Sequence, residues 1–450
     1  MNRRNFIHSL TAAGLLPALG ASAQDKTLPT ASPIPLSATE TVVYESPNAG
    51  NVYAYSPGLA IAPTGRLIVT MDQGGKGVKS IPGIHTDENG KLWNGKIYTS
   101  DDKGATWQHR SDMPLHHARP FVAGNSLYIV GHAGDLGVMR SDDWGATWKE
   151  TVWLTEGEKW HQAPCNVHYT RGRVYLVMET NTDRSFKGWS VSVLAPVVMS
   201  AKVTDDLLDK ASWTFSNKFS FRNYMEKYGE PNLLGAPFFN PGRTAPDHKA
   251  DVRGMAPAGW LETNIVEFTD PDHIWYDPTG RTFYLWMRSH TGTSNLACIA
   301  KVTEDESGAL TVDAATAPSG KTMLYVPCPG GQMKFHILYD EVTKLYWLLS
   351  SQSTDSMTDP KKLPDNRYNL PNNERHRLVL HFSKNCVDWI FAARVADTGD
   401  AGQGRHYASM VIDGDNLHML SRSGDHRAKN SHNGNLITFH TLKDFRDLVY

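Results

Sequence analysis

Two octapeptides share one pattern, SDDKGATW at Ser100–Trp107 and SDDWGATW at Ser141–Trp148. Their spacing is that of one four-stranded unit in a ring of repeats, about 40–45 residues. The chemistry of the pattern can be read directly. Asp102 and Asp143 can accept hydrogen bonds from backbone N–H groups inside a tight turn. Gly104 and Gly145 permit a left-handed backbone. Trp107 and Trp148 then pack beneath neighbouring strands. SKNCVDW at Ser383–Trp389 is a degenerate third copy.

The rest of the chain repeats a strand–turn–strand theme. GLAIAPTGRLIVTMD, ARPFVAGNSLYIVGHAGD, APCNVHYTRGRVYLVMET, HIWYDPTGRTFYLWMRSH, MKFHILYDEVTKLYWLLSSQ and YASMVIDGDNLHMLSRSGD each place two apolar runs around a Gly, Asn or Asp turn. No sustained helical period interrupts them. The expected fold is all-β, a propeller of six blades by this count, spanning residues 41–450. A strand near Thr41–Glu45 is placed to complete the last sheet. Phe219–Leu261, rich in Pro and Gly, reads as an insertion over one face.

The N-terminus MNRRNFIHSLTAAGLLPALGASAQ has a basic start, a short apolar run and an Ala-Ser-Ala cleavage site. It reads as a signal peptide over residues 1–23, of twin-arginine type, followed by a flexible lead-in over 24–40. Export from a bacterium is expected. The balance of 45 basic and 47 acidic residues argues against a nucleic-acid or membrane partner, so local arginines must hold any acidic ligand. Cys165, Cys298, Cys328 and Cys386 lie far apart without a CxxC pair. They are open to three readings: small buried hydrophobes, one or two disulfides, or a metal site using Cys328 with His336.

Strand parity selects one end of the ring. The Gly124–Asn125 turn and the octapeptide turn share a rim, so His117, before one strand, and His132, after the next, meet at the other. Arg119 follows His117 on the same strand face. The same rule brings His161, Arg288, His290, Arg405, Tyr407 and Arg422 to that rim, with Asp72 from the first blade and Tyr228 and Arg243 from the insertion. Arginine grips a carboxylate with two parallel hydrogen bonds, and histidine moves protons near neutrality. Such a set suits β-elimination at a uronic acid, where no paired carboxylates are needed.

The octapeptides resemble the Asp-box of the sialidase-like β-propellers. HARPFVAG, GHAGDLGVMRSDD, WHQAPCNVHY, GWLETNIVEFTDPDHIWYDP, PGGQMKFHILYDEVTKLYWLLSSQSTDSM and RHYASMVIDGDNLHMLSRSGD extend that resemblance to His117–Tyr450. The chain is similar to the propeller lyases that cleave ulvan and to related propeller α-L-rhamnosidases. The lyase resemblance implies His117 and His132 as the proton-handling pair and Tyr228 with Arg243, or Tyr407 with Arg422, as the tyrosine and arginine. It also implies seven blades, with Phe219–Leu261 or Thr322–Pro329 hiding the extra strands. Three features depart from the relatives. The two Ile-Pro pairs before the first octapeptide, Ile34-Pro35 and Ile81-Pro82, follow Pro33 and Ser80 rather than an arginine. No acid–tyrosine pair stands out, and the first hairpin, Gly58–Asp72, has no histidine. The expected function is a secreted, monomeric lyase acting on a uronate-containing, ulvan-like polysaccharide. It needs no cofactor for the chemistry, and Ca²⁺ or Zn²⁺ would be only a structural aid. The alternatives are a glycoside hydrolase of rhamnosidase or sialidase type on the same face, and a non-catalytic glycan-binding propeller.

Overall fold

Five of the six predicted hairpins form the inner half of a small antiparallel sheet, and six such sheets follow one another around an axis as a six-bladed propeller. The computed structural model describes residues 36–86, 92–229, 258–355, 358, 362 and 374–450. The expected signal peptide and most of the expected lead-in lie outside them. Blade one runs Tyr53–Ile61, Leu67–Gly74, Leu92–Ser100 and Gln108–Met113, and blade two His116–Ala123, Ser126–Ala133, Asp135–Ser141 and Val152–Trp153. The strand expected near Thr41–Glu45 is present as Thr39–Glu45. It pairs with Leu436–Leu442 of blade six, so the last sheet takes its outermost strand from the start of the described chain. No helix among the described residues is long and apolar enough to cross a membrane.

Six blades, not seven, follow from where the uncertain segments go. Thr322–Met323 and Tyr325–Pro327 add to blade four instead of starting a sheet. The supposed insertion contains the helix Phe221–Tyr228, capped by Ser220, but its far end is the innermost strand of blade four, Gly259–Val266. That strand pairs with Thr282–His290 across a loop. All eight of its residues are buried, so it lacks the polar–apolar alternation that marks a half-exposed strand. The sequence HIWYDP, read above as the first half of this hairpin, belongs to the loop.

The octapeptide turns are built as their chemistry predicts. Asp102 accepts from the Thr106 backbone N–H at 2.8 Å and from its hydroxyl at 2.6 Å, and Asp143 does the same with Thr147. Ser100 and Ser141 accept from the glycine N–H groups at 2.8 and 2.7 Å. In the third copy Asn385 replaces the aspartate, accepting from the Val387 and Asp388 N–H groups. Gly104 has φ +86°, and a Cβ there would sit 2.1 Å from the Phe439 ring. Gly104→Ala is therefore expected to cost roughly 2–4 kcal/mol, from strain and overpacking together, with turnover unchanged. Equilibrium unfolding and an activity assay test this.

All four cysteines are free and buried. Cys328 and Cys386 sit in one apolar cluster with Phe335 and Ile337, and burial pushes both thiols up. The cysteines therefore act as small hydrophobes, and the disulfide and Cys328–His336 readings are set aside.

Candidate active-site cleft

The innermost strands of four blades break in the same way. Ser56, His117, Glu262 and Tyr407 all take the left-handed backbone, with φ of 48°, 52°, 59° and 60°. Each lies in a bulge where the strand register shifts, between Tyr55 and Gly58, His116 and Arg119, Leu261 and Asn264, and His406 and Ser409. Non-glycine residues in this region cost about 1–3 kcal/mol and gather where function holds them. The repetition sets Ser56, His117, Glu262 and Tyr407 at corresponding positions of four inner strands.

The bulge also changes the predicted parity. His116, rather than His117, is the register partner of His132. His117 still meets His132, with Nδ1 3.2 Å from the His132 Nε2 and ring centroids 5.2 Å apart. His116 stacks on His117 at 3.7 Å, and His161 lies edge-on to His117 at 5.0 Å. The exposed Trp189 ring is 5.3 Å from His161. Asp72, fully buried, accepts from the His117 backbone N–H at 3.0 and 3.1 Å.

Across the axis a second group assembles. Arg288 Nη1 donates to Glu262 Oε2 at 3.1 Å and to the Tyr407 hydroxyl at 3.4 Å. Arg422 lies over the Tyr55 ring at 3.9 Å and the Tyr407 ring at 5.1 Å, and donates to the His432 carbonyl. Arg375 Nη1 meets His406 Nδ1 at 3.3 Å. Arg288, Arg375 and Arg422 are all buried, and the Nε atoms of Arg375 and Arg422 have no hydrogen-bond partner among the described residues. Burial and the neighbouring Arg288 lower Arg375 to about 9. Burial also works against the Arg288 charge, but Glu262 and Tyr407 outweigh it and hold that guanidinium above its ordinary value. Burial first, then Glu262, raises the Tyr407 phenol, so it rests protonated.

The two groups adjoin through blade one. Tyr55, beneath Arg422, is the register partner of Asp72, which also anchors His117. The site thus contains His117, His132, His161, Arg288, Tyr407 and Arg422 as the parity argument expected. Three other expected residues are engaged elsewhere. Arg119 is fully buried along the axis, donating to the Val177 and Asn166 carbonyls, because the bulge ends strict alternation. Arg405 is engaged by Glu40 in a bidentate pair at 2.8 and 2.9 Å, which ties the closing strand to blade six. Tyr228 donates to Asp313 at 2.8 Å, on the fourth strand of its blade. His290, the register partner of Gly259, is buried at the end of its strand, two residues beyond Arg288. Arg243 lies outside the described residues.

Sequence reasoning missed His116, Glu262 and Arg375. The tandem His116-His117 and a glutamate inside the otherwise apolar GWLETNIV were usable signals, whereas Arg375 follows no pattern. The opposite end of the axis holds a cavity of about 600 Å³. It is lined by the second halves of the inner strands, including Leu59, Phe121 and Met410, and is largely apolar.

Buried neutral imidazoles elsewhere in the fold set an acid limit. Burial lowers His381 and His440 to about 4. The unfolded chain binds these protons near pH 6.5 and the native one does not, so stability is full above that pH and falls as pH drops toward 4. Urea unfolding at pH 7 and pH 4.5 should differ by about 2 kcal/mol for each of the two groups.

No protein-family model matches the chain, and no curated protein matches it. Among solved structures it is similar to a protein of unknown function from Dyadobacter fermentans, at 14% identity and a TM-score of 0.50, over 90% of this chain and 97% of that one. It is also similar to Trypanosoma rangeli sialidase in complex with the inhibitor DANA, at 12% identity and a TM-score of 0.50. That match covers 92% of this chain and 61% of the sialidase. At such identities the likeness concerns the propeller fold.

Proposed function

We propose that the protein is a glycoside hydrolase acting on a glycan that carries a carboxylate, exported from a bacterium and working as a monomer. The observation that carries this reading is the bridging of Glu262 and Tyr407 by Arg288, beside two further buried arginines. Of these three guanidinium groups only that of Arg288 bonds a carboxylate, Glu262. Buried charge of one sign is costly unless paired, so an anionic substrate group completes the set, and Arg375 and Arg422 have donors to offer it. The Tyr407 oxygen attacks the anomeric carbon while Glu262 accepts the phenolic proton. The departing glycosidic oxygen is protonated from the histidine side, where His161 is half-exposed. Water then releases the sugar from the tyrosine by the reverse sequence. The open face of Trp189 supports a sugar ring.

A second reading, β-elimination on an ulvan-like uronate, is favoured by the His117–His132 contact and by Arg422 lying beside Tyr407. There the arginine neutralises the carboxylate and Tyr407 or a histidine takes the C5 proton. A panel of uronate and other acidic glycosides separates the two. Hydrolysis yields new reducing ends with no ultraviolet-absorbing unsaturated uronate, and elimination yields both. Neither product from any acidic glycan, with binding retained, would identify a non-catalytic glycan binder.

A further inference from the structure

His116, His117 and His132 crowd one corner of the cleft, with ligand-capable ring nitrogens all within 4.8 Å of one another. Among the described residues no other group of three or more His, Cys, Asp or Glu side chains converges in this way. We propose that these three imidazoles form a site for a divalent transition-metal ion of the zinc class. One coordination position would remain open toward the cleft, for water or a substrate oxygen.

The geometry suits such an ion. Two nitrogens bound to tetrahedral zinc at about 2.0–2.1 Å lie about 3.3 Å apart, and His117 Nδ1 and His132 Nε2 are separated by 3.2 Å. His116, now stacked on His117 at 3.7 Å, must swing out of that stack to complete the face. A carboxylate also lies behind the rings, just beyond hydrogen-bond distance. While His117 turns Nδ1 to His132, its Nε2 faces Asp72 at 3.9 Å, and the His116 Nε2 lies 3.6 Å from the same carboxylate. A carboxylate behind a ligating imidazole fixes its tautomer and raises its basicity. The negative charge of buried Asp72 would offset part of a dication's charge. The left-handed backbone of His117, anchored by its N–H to Asp72, aims the ring before any ion arrives. His161 stands on the open side, its ring 5.0 Å from His117 and 6.1 Å from His132. Three imidazoles without a thiolate favour zinc, copper or nickel over calcium or magnesium, which prefer oxygen.

The site does not rest on the hydrolase reading, because its test needs no glycan. The full chain, stripped with a chelator, is titrated with Zn²⁺ against a chromophoric competitor and separately with Co²⁺. One equivalent of Zn²⁺ should bind. The Co²⁺ form should show visible bands of nitrogen ligation that Zn²⁺ abolishes. His132→Ala should weaken binding by more than about 100-fold and Asp72→Asn by about 10–100-fold, while exposed His109→Ala leaves it unchanged. If His132→Ala does not fold, the Co²⁺ spectrum of the unaltered chain decides. Absence of stoichiometric Zn²⁺ and of those bands, or unchanged affinity in folded His132→Ala, overturns the proposal whatever the enzyme assay shows.

Discussion

Tyr407→Phe should lower kcat on an acidic glycoside by on the order of 1000-fold or more, with little change in the concentration at which substrate saturates. The substitution removes one oxygen, the proposed nucleophile, and a covalent step cannot proceed without it. It leaves the ring that packs beside Arg422 and leaves Glu262 with Arg288. The hydroxyl accepts from Arg288 at a long 3.4 Å, so stability should change by less than about 1 kcal/mol. A loss confined to KM, or retention of more than about a tenth of the rate, would remove Tyr407 from the chemistry. Steady-state kinetics with a matched thermal melt provides both readouts.

Arg288→Met is expected to be the most destabilising single change in the cleft. Glu262 is 1% exposed, and its bonded guanidinium is the one from Arg288. Removing one partner of a buried pair typically costs about 3–5 kcal/mol, because the other charge is left uncompensated. Here the lower end applies. Arg375 is held down partly by repulsion from Arg288 and would be relieved by its loss. The expected cost is therefore about 3 kcal/mol. Adding Glu262→Gln should recover much of it, since the orphaned charge is then gone. The coupling energy from that double-mutant cycle measures the pair. Additive losses would mean that Glu262 and Arg288 do not act as a unit.

Much of the fold was legible because it is written locally. Turn chemistry in the two octapeptides, period-two apolar runs and Gly or Asn turns specify each hairpin within about twenty residues. The count of six hairpins and the closing strand near Thr41–Glu45 were readable for the same reason. His117 and His132 were also reachable, since a hairpin carries its own parity and brings its two ends together.

The rest of the cleft had no local signature. Gly259–Val266 is buried on both faces and so lost the alternation that identifies a strand, which hid Glu262, one residue past the supposed insertion. Tyr228 and Arg405 lie near suitable positions in the chain, but tertiary partners, Asp313 and Glu40, engage them elsewhere. The bulges at Ser56, His117, Glu262 and Tyr407 depend on how inner strands crowd around an axis. Arg288 and Tyr407 are 119 residues apart and meet because the ring closes. Sequence alone therefore determined the blades, their turns and the histidine-bearing end, all set by short-range hydrogen bonding and side-chain alternation. Only the closed ring decided which arginines, which tyrosine and which glutamate share a cleft, because contacts across an axis leave no period in the chain.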